Sequence, residues 1–410
     1  MSAVGRLAFA GTLAAALLRD RLRNLRWARQ LRRRLAAGSL LAPPPPLVQI
    51  LPTERCNLAC KMCNQWGERG TYRNGHRPAQ MDPALLLRLV RQLRPDRSLV
   101  SIHGGEPFAY PEVGRLLAAL ERQRLDVLFT TNGTLLGPYA EGLARLPNAF
   151  FIVSVEGAEP ANDRIRGAGS FCAMQDGVRA LTRATERRWG RPPHVAMNVT
   201  ISEHTRPADL AACLDVAREL GAVLLNFTLR WFVTEEAGLR WERQLRRHFG
   251  LSSSGAWRGF VADLSGVDPG PLAAALREVS RRARGPRPPY VRIFPRLRRI
   301  DGSTVERYFH SPHDTFGRQR CLFPFYAPRV HASGDVIYCH GIHEPVVGNL
   351  EHETLEQASQ SPTARRLRAL CLERRFAVCS RCCGLFLAFR AEPFQRLWQG
   401  SSVNADSQRV

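Results

Sequence analysis

The stretch "RCNLACKMCNQW" (residues 55–66) places Cys56, Cys60 and Cys63 within eight positions and no fourth cysteine beside them. A structural zinc site takes four ligands, and disulfides need an even number and an oxidising compartment. Three thiolates fit neither count. Cysteine thiolates also hold iron–sulfur clusters, normally four to a cube, so a Cys-x3-Cys-x2-Cys loop leaves one iron open to another ligand. A second set lies further on. Cys321 opens "CLFPFYAPRVHASGDVIYCHG" (321–341), Cys339 sits near its end, and Cys379, Cys382 and Cys383 follow in "CSRCC". "APRVHA" and "DVIYC" read as two strands joined by a Ser-Gly-Asp turn, a hairpin with a thiolate at each end that the later CxxC completes. Cys371 and Cys383 are understudies in this set. His340 and His343 are nitrogen donors able to replace a thiolate, although a histidine beside a cysteine is more often simply solvated. A zinc site on the same four cysteines is the competing reading. Cys172 and Cys213 fall in helical stretches and read as core thiols.

The elements that must position these thiols alternate from residue 47 onward. "LVQILPTER" (47–55) is a buried strand running into the cysteine loop. Strands follow at 98–107, 126–133, 149–157, 194–202 and 222–232, with helices at 82–93, 111–123, 137–146, near 171–188 and at 208–220. Asp82 caps the first of these helices and Pro83 takes its first position. Six strands alternating with helices argue a parallel α/β sheet or barrel with its ligand-binding loops at the strand C-terminal ends. "GGEP" (104–107), "TTNG" (130–133) and "SVEG" (154–157) each stand just after a strand, so all open onto the face of the cysteine loop. Arg230 and Trp231, at the end of the sixth strand, face the mouth of that cavity. Residues 234–320 are rich in Arg, Gly and Pro and read as irregular, with one helix near 270–284.

In this order the cysteine loop, "GGEP", "TNG" and "SVEG" resemble the radical SAM enzymes, whose signature is the spacing of Cys56, Cys60 and Cys63. The resemblance implies a [4Fe–4S] cluster on those thiolates and S-adenosylmethionine on the open iron. It further implies reductive cleavage of that sulfonium to a 5′-deoxyadenosyl radical, which abstracts hydrogen from the substrate. It implies that Gly104 and Gly105 let the backbone approach the cofactor and that their loop, with Glu106, receives the methionyl ammonium. Thr131 and Asn132 are then beside the cofactor, and Ser154 and Glu156, followed by "DRIRG" (163–167), face its carboxylate or ribose. The family's usual residue at the last position is aspartate; this chain has Glu156. The later cysteines resemble the SPASM or twitch extension, which implies one auxiliary [4Fe–4S] cluster held by Cys321, Cys339, Cys379 and Cys382 and serving as an electron acceptor. No side chain is singled out as catalytic acid or base. The fold class expected is α/β, a partial (β/α)6 radical SAM barrel with a C-terminal cysteine-rich SPASM/twitch-like extension. Its divisions are a basic N-terminal arm and Pro linker (1–46), the radical SAM core (47–233), a variable insertion (234–320), the auxiliary-cluster domain (321–392) and a tail (393–410).

The net charge of +23 is carried overwhelmingly by arginine. No aromatic-rich basic repeat or nucleic-acid motif accompanies it, so it reads as compositional and no nucleic-acid partner is expected. The arm is the exception. Residues 7–18 are apolar but too few to span a bilayer. Residues 19–35 form a basic amphipathic helix that docks on the protein's own body or contacts an anionic membrane surface, and "APPPP" (42–46) is a stiff spacer. Charge follows the apolar run instead of preceding it, unlike a signal peptide, and a cytoplasmic location is expected. The expected partners are an external reductant such as flavodoxin or ferredoxin and a peptide or small-molecule natural-product precursor. About forty residues precede the prolines, fewer than a ~50-residue domain needs, so a peptide-recognition domain is expected on a separate protein. The rival reading is non-catalytic, an iron–sulfur electron carrier or a zinc-bound scaffold.

Overall fold

The computed structural model describes residues 3–73, 77–285, 288–297, 299–340 and 342–387; the tail expected at 393–410 and the last residues of 321–392 lie outside these. Ten strands form one open sheet. They are β1 (Leu47–Ile50), β2 (Leu99–Ile102), β3 (Val127–Thr131), β4 (Ala149–Ser154), β5 (His194–Ile201), β6 (Leu224–Leu229), β7 (Tyr290–Phe294), β8 (Arg329–Val330), β9 (Asp335–Ile337) and β10 (Gly348–Asn349). Their spatial order is β10-β9-β8-β1-β2-β3-β4-β5-β6-β7. From β1 to β7 every neighbour is parallel and consecutive in the chain, which requires a crossover after each strand.

The crossovers are α2 (Pro83–Gln92), α3 (Val113–Gln123), α4 (Ala140–Ala144), α5 (Glu159–Arg166), α6 (Ser170–Trp189) and α7 (Leu210–Glu219), after an N-terminal α1 (Ala3–Ala36). Helix α2 starts where Asp82 accepts hydrogen bonds from the Ala84 and Leu85 amides and buries Leu85, Leu86, Leu89 and Val90 at helical spacing. Beyond β6 the chain departs from expectation. Residues 234–320 are not irregular: α8 (Glu235–Phe249), α9 (Pro269–Arg282) and α10 (Gly302–His310) lie there, and β7 adds a seventh parallel strand beside β6. Thr234 caps α8 by accepting from the Ala237 amide, Glu235 and Glu236 occupy its first turn, and left-handed Gly250 ends it. These are ordinary helix signals, set among so many arginines that composition masks them. The remaining helices are α11 (Phe323–Tyr326), α12 (Leu355–Ser359), α13 (Pro362–Glu373) and α14 (Cys383–Leu387).

The expected hairpin forms. β8 and β9 pair antiparallel, with Gly334 at φ +83° in the turn. β8 also pairs parallel with β1, Gln49 opposite Arg329 and Ile50 opposite Val330. The C-terminal segment thus extends the core sheet.

Helix α1 is 34 residues long and docks on the body. Trp27 donates from Nε1 to the Phe325 carbonyl at 3.0 Å and is buried with Leu31 against Leu322 and Phe325. Arg23 and Arg19 both reach Asp126, at 2.6 and 3.1 Å, and Thr12 lies 3.1 Å from the His194 ring nitrogen. Asp126 immediately precedes β3 and His194 begins β5, so α1 lies across the N-terminal ends of the strands, opposite the cysteine loop. Leu17 and Leu18 on its outer face are exposed. No helix among the described residues is long and apolar enough to cross a membrane.

Replacing Trp27 by Ala removes a buried indole and is expected to cost about 3–5 kcal/mol. Limited trypsinolysis of the holoprotein checks it: cleavage within the arginine-rich 19–35 segment accelerates in the variant while the core fragment persists.

Candidate functional site

The first thiol set hangs from the end of β1. Glu54 closes the base of its loop, its Oε1 accepting from the Tyr72 hydroxyl and its Oε2 from the Ala79 amide, both at 2.8 Å. Each sulfur faces a donor. The Leu58 amide points at Cys56 Sγ (3.4 Å), the Gln65 and Trp66 amides at Cys63 Sγ (3.4 Å each), and Arg166 Nη1 at Cys60 Sγ (3.6 Å). Burial pushes the Cys56 thiol up to about 12. It raises Cys60 as well, against the opposing pull of Arg166. Neighbouring thiols add to both shifts by repulsion, so the three lie within electrostatic reach of one another. Buried thiols of this kind ionise only against a cation. Three soft donors ringed by N–H groups fit a cluster with one open position.

Gly104 and Gly105 meet a need that their spacing did not disclose. A Cβ on Gly104 would stand 2.4 Å from the Thr53 carbonyl oxygen, and one on Gly105 2.1 Å from that of Arg55. They make room for the backbone entering the cysteine loop. The Gly105 and Glu106 amides donate to the Thr53 and Arg55 carbonyls at 3.1 and 2.7 Å, zipping the end of β2 onto the loop's first turn.

Glu106 is a buried clasp. Its carboxylate accepts from Thr131 Oγ1 (2.7 Å), the Asn132 amide (2.8 Å) and the Phe108 amide (3.2 Å), and burial pushes it up to about 7. Asn132 in turn donates to Asn57 Oδ1 at 2.9 Å and stands 4.0 Å from Cys56 Sγ. Thr131 and Asn132 are thereby brought to the cysteine loop. Glu156, expected to face the cofactor's carboxylate or ribose, is bonded within the chain: Oε1 accepts from Arg166 Nη2 at 2.6 Å and Oε2 from the Thr200 amide at 2.9 Å. Burial pushes it up to about 7, against the opposing pull of Arg166. Ser154 is half-buried at the end of β4, opposite Asn198. Asn198 accepts from Asn226 Nδ2 (2.5 Å) and Thr228 Oγ1 (2.7 Å), and Asn226 accepts from Arg292 Nε (2.7 Å). A polar row therefore crosses β4 to β7.

The thiols of the second set act on one another electrostatically. Cys379 and Cys382 raise Cys321 and Cys339 by repulsion on top of the dominant effect of burial. Cys371 belongs to the same neighbourhood and its carbonyl accepts from the Cys321 amide at 3.0 Å. Cys383 hydrogen-bonds Cys382, which lowers Cys382. Buried Arg381 anchors the CxxC to the end of α10 through the Tyr308, Arg307 and Ser311 carbonyls at 2.6, 2.9 and 2.6 Å. Among the described residues no three His, Cys, Asp or Glu side chains converge at the spacing of a single ion.

Three expectations need correcting. His340 is not simply solvated; it is half-buried, 2.7 Å from Arg329 Nη2 and beside Trp231. His343 bonds Asp335 at 3.2 Å. Cys172 is exposed, 3.5 Å from Glu159 on α5, whereas Cys213 is a core thiol. Arg230 is buried against Glu203. Sequence reasoning missed Arg166, Glu54, Gln49, His103 and Arg329 as site residues. The signal for the last three was a polar side chain inside an otherwise apolar strand pattern.

An open parallel sheet with a donor-ringed three-thiol loop at its C-terminal mouth defines a cluster-binding α/β class. The sequence profile of the Radical SAM superfamily matches residues 50–193, and that of the SPASM iron–sulfur cluster-binding domain matches residues 321–383. The chain belongs to the radical SAM superfamily and carries a C-terminal SPASM domain, which together imply a [4Fe–4S] cluster with S-adenosylmethionine and an auxiliary cluster. It is similar to a probable GTP 3′,8-cyclase of Thermococcus kodakarensis, at 24% identity over 44% of this chain and 56% of that protein. It is also similar to mycofactocin maturase MftC of Mycobacterium ulcerans, at 33% identity over 32% of this chain and 33% of the other. In both cases the match spans less than two thirds of the relative's length. In fold it is similar to Streptococcus suis SuiB bound to S-adenosylmethionine, with TM-score 0.56 and 15% identity over 79% of this chain and 68% of that one. It is likewise similar to anSMEcpe with bound AdoMet and Cp18Cys peptide, with TM-score 0.51 and 15% identity over 87% and 99%.

Gly105→Ala drives a Cβ into backbone, so iron bound to the reconstituted protein is expected to fall by about one cluster, four irons per chain, with stability lower by ~1–3 kcal/mol. Glu106 gives a pH signature. Its carboxyl, raised from 4.5 to about 7 in the fold, contributes stability that is full below pH 4.5 and lost as pH rises through 7. Denaturation midpoints of the wild type should therefore fall between those values relative to Glu106→Gln, whose profile lacks this component.

Proposed function

We propose that the chain is an oxidative radical SAM enzyme acting on a peptide or small natural-product precursor. Cys56, Cys60 and Cys63 hold the cluster that binds S-adenosylmethionine, and Cys321, Cys339, Cys379 and Cys382 hold one auxiliary cluster that takes up an electron. The observation that carries this reading is the parallel pairing of β1 with β8. β1 runs into the first thiol loop and β8 opens the hairpin that ends at Cys339, so the segments carrying the two thiol sets are joined in one sheet, which supports this reading.

When bound, the cluster and its sulfonium nucleotide supply a 5′-deoxyadenosyl radical able to take hydrogen from an unactivated C–H bond. The rest falls to the chain's own groups. Amide and guanidinium N–H groups orient the three sulfurs. The Gly104–Glu106 turn and the Thr131–Asn132 turn form one wall of the nucleotide site, held rigid by the Glu106 carboxylate. Ser154 and the row Asn198, Asn226 and Arg292 offer donors and acceptors along the opposite wall. Helix α1 covers the far end of the sheet, which favours entry of substrate from the loop side. The likeness to a maturase and to folds solved with peptides bound supports a peptide over a small molecule. The electron that primes the first cluster comes from an external flavodoxin or ferredoxin.

Anaerobically reconstituted protein should carry about eight irons per chain and form 5′-deoxyadenosine from S-adenosylmethionine and dithionite. Cys60→Ala should abolish that product while retaining about four irons. Fully loaded protein that makes no 5′-deoxyadenosine would refute the reading.

A further inference from the structure

Arg329 carries a charge that nothing in its surroundings balances. It is 95% buried, at 5% relative exposure. Its Nη2 donates to Gln49 Oε1 at 3.0 Å and lies 2.7 Å from His340 Nδ1, while its Nε is buried without a partner. Among the described residues no carboxylate pairs with it. The flanking His103 and His340, and His331 two residues along, are neutral or cationic side chains and supply no anion. An enclosed guanidinium with no counter-ion costs several kcal/mol, and an arginine cannot escape by losing its proton. An orphaned N–H on such a group calls for an acceptor that carries negative charge.

The fold indicates which anion. Arg329 pairs across the hairpin with Ile337, two residues before Cys339, and its bonded neighbour His340 directly follows that cysteine. Its charge acts on Cys382 and Cys383 and favours the thiolate at both. Tyr72 is the remaining titratable group in reach.

We propose that Arg329 is the built-in countercharge of the auxiliary cluster. The inference rests on reading the C-terminal thiols as cluster ligands. Four thiolates and the cluster core together make a net anion, and taking up one electron adds a further negative charge. A fixed guanidinium beside it, in a poorly screened interior, stabilises the reduced form more than the oxidised one. Arg329 thereby raises the potential of the auxiliary cluster and makes it a better acceptor.

The test is a redox titration followed by electron paramagnetic resonance on full-length reconstituted protein. A Cys56→Ala, Cys60→Ala, Cys63→Ala background leaves the C-terminal signal alone; intact protein, with the two signals separated by temperature and power, is the second arm. With Arg329→Met the midpoint potential should drop, with Arg329→Lys it should stay near wild type, and iron per chain should be equal in all three. If the Met variant loses its cluster, Arg329→Gln is titrated in its place, and a lowered potential again supports the proposal. A neutral variant with full iron and an unmoved potential overturns it and leaves Arg329 to an anionic group of the substrate. A wild type with no C-terminal cluster at all overturns the ligand assignment and the countercharge together, and is recognised by the missing iron.

Discussion

Burying sulfur that must become anionic is the demand to which the architecture answers. A thiol in a low-dielectric interior resists ionisation, and a group of thiols resists more because each new charge repels the next. The fold meets this at the first loop with directed N–H groups on all three sulfurs and with one guanidinium, Arg166, aimed at Cys60. Arg166 is itself held by Glu156, so the carboxylate acts on the sulfur only through the arginine. That chain of contacts accounts for a glutamate where aspartate is usual. The carboxylate reaches Arg166 on α5 and also accepts from the Thr200 amide on β5. Removing either partner would strand a buried charge, the costly way to break such a pair.

The second constraint is topological. Two thiol sets separated by more than 250 residues in the chain can cooperate only if their separation in space is small and fixed. A flexible tether between domains would leave it variable. Here the segment carrying the second set supplies β8 to the edge of the core sheet at β1, and β9 and β10 continue it outward. Arg368 ties the C-terminal segment together, donating to the Pro324 and Ser359 carbonyls and the Tyr338 hydroxyl at 2.9, 2.6 and 2.9 Å. The backbone ladder is stiff on the timescale of chemistry, and so is the distance it sets.

Much of this was legible from residue types and order. The β1 to β6 alternation, the α2 cap at Asp82 and the 329–339 hairpin all rest on local rules that tertiary structure did not override. The features that escaped are non-local. β7 is a short strand with no alternating pattern, defined only by its ladder to β6. The packing role of Gly104 and Gly105 depends on a backbone fifty residues earlier. Arg166 stood in the quoted "DRIRG" motif, but which sulfur it serves follows from how α5 docks on the cysteine loop. His340 was misjudged because adjacency to a cysteine says nothing about contacts made elsewhere in the chain, here with Arg329 and Trp231.

Helix α1 shows how a compositional oddity can have a structural answer. Its arginines looked like a surface in search of an anion, yet Arg19 and Arg23 find one in Asp126, at the closed end of the sheet. With the N-terminal strand ends covered there, the polar row on β4 to β7 and the first thiol loop are reached from the loop side. A radical site needs this asymmetry, because a reactive carbon-centred species survives only where bulk solvent has one controlled way in. The hydrophobic seam of Trp27 and Leu31 and the buried ion pair at Asp126 are the contacts that hold that cover in place.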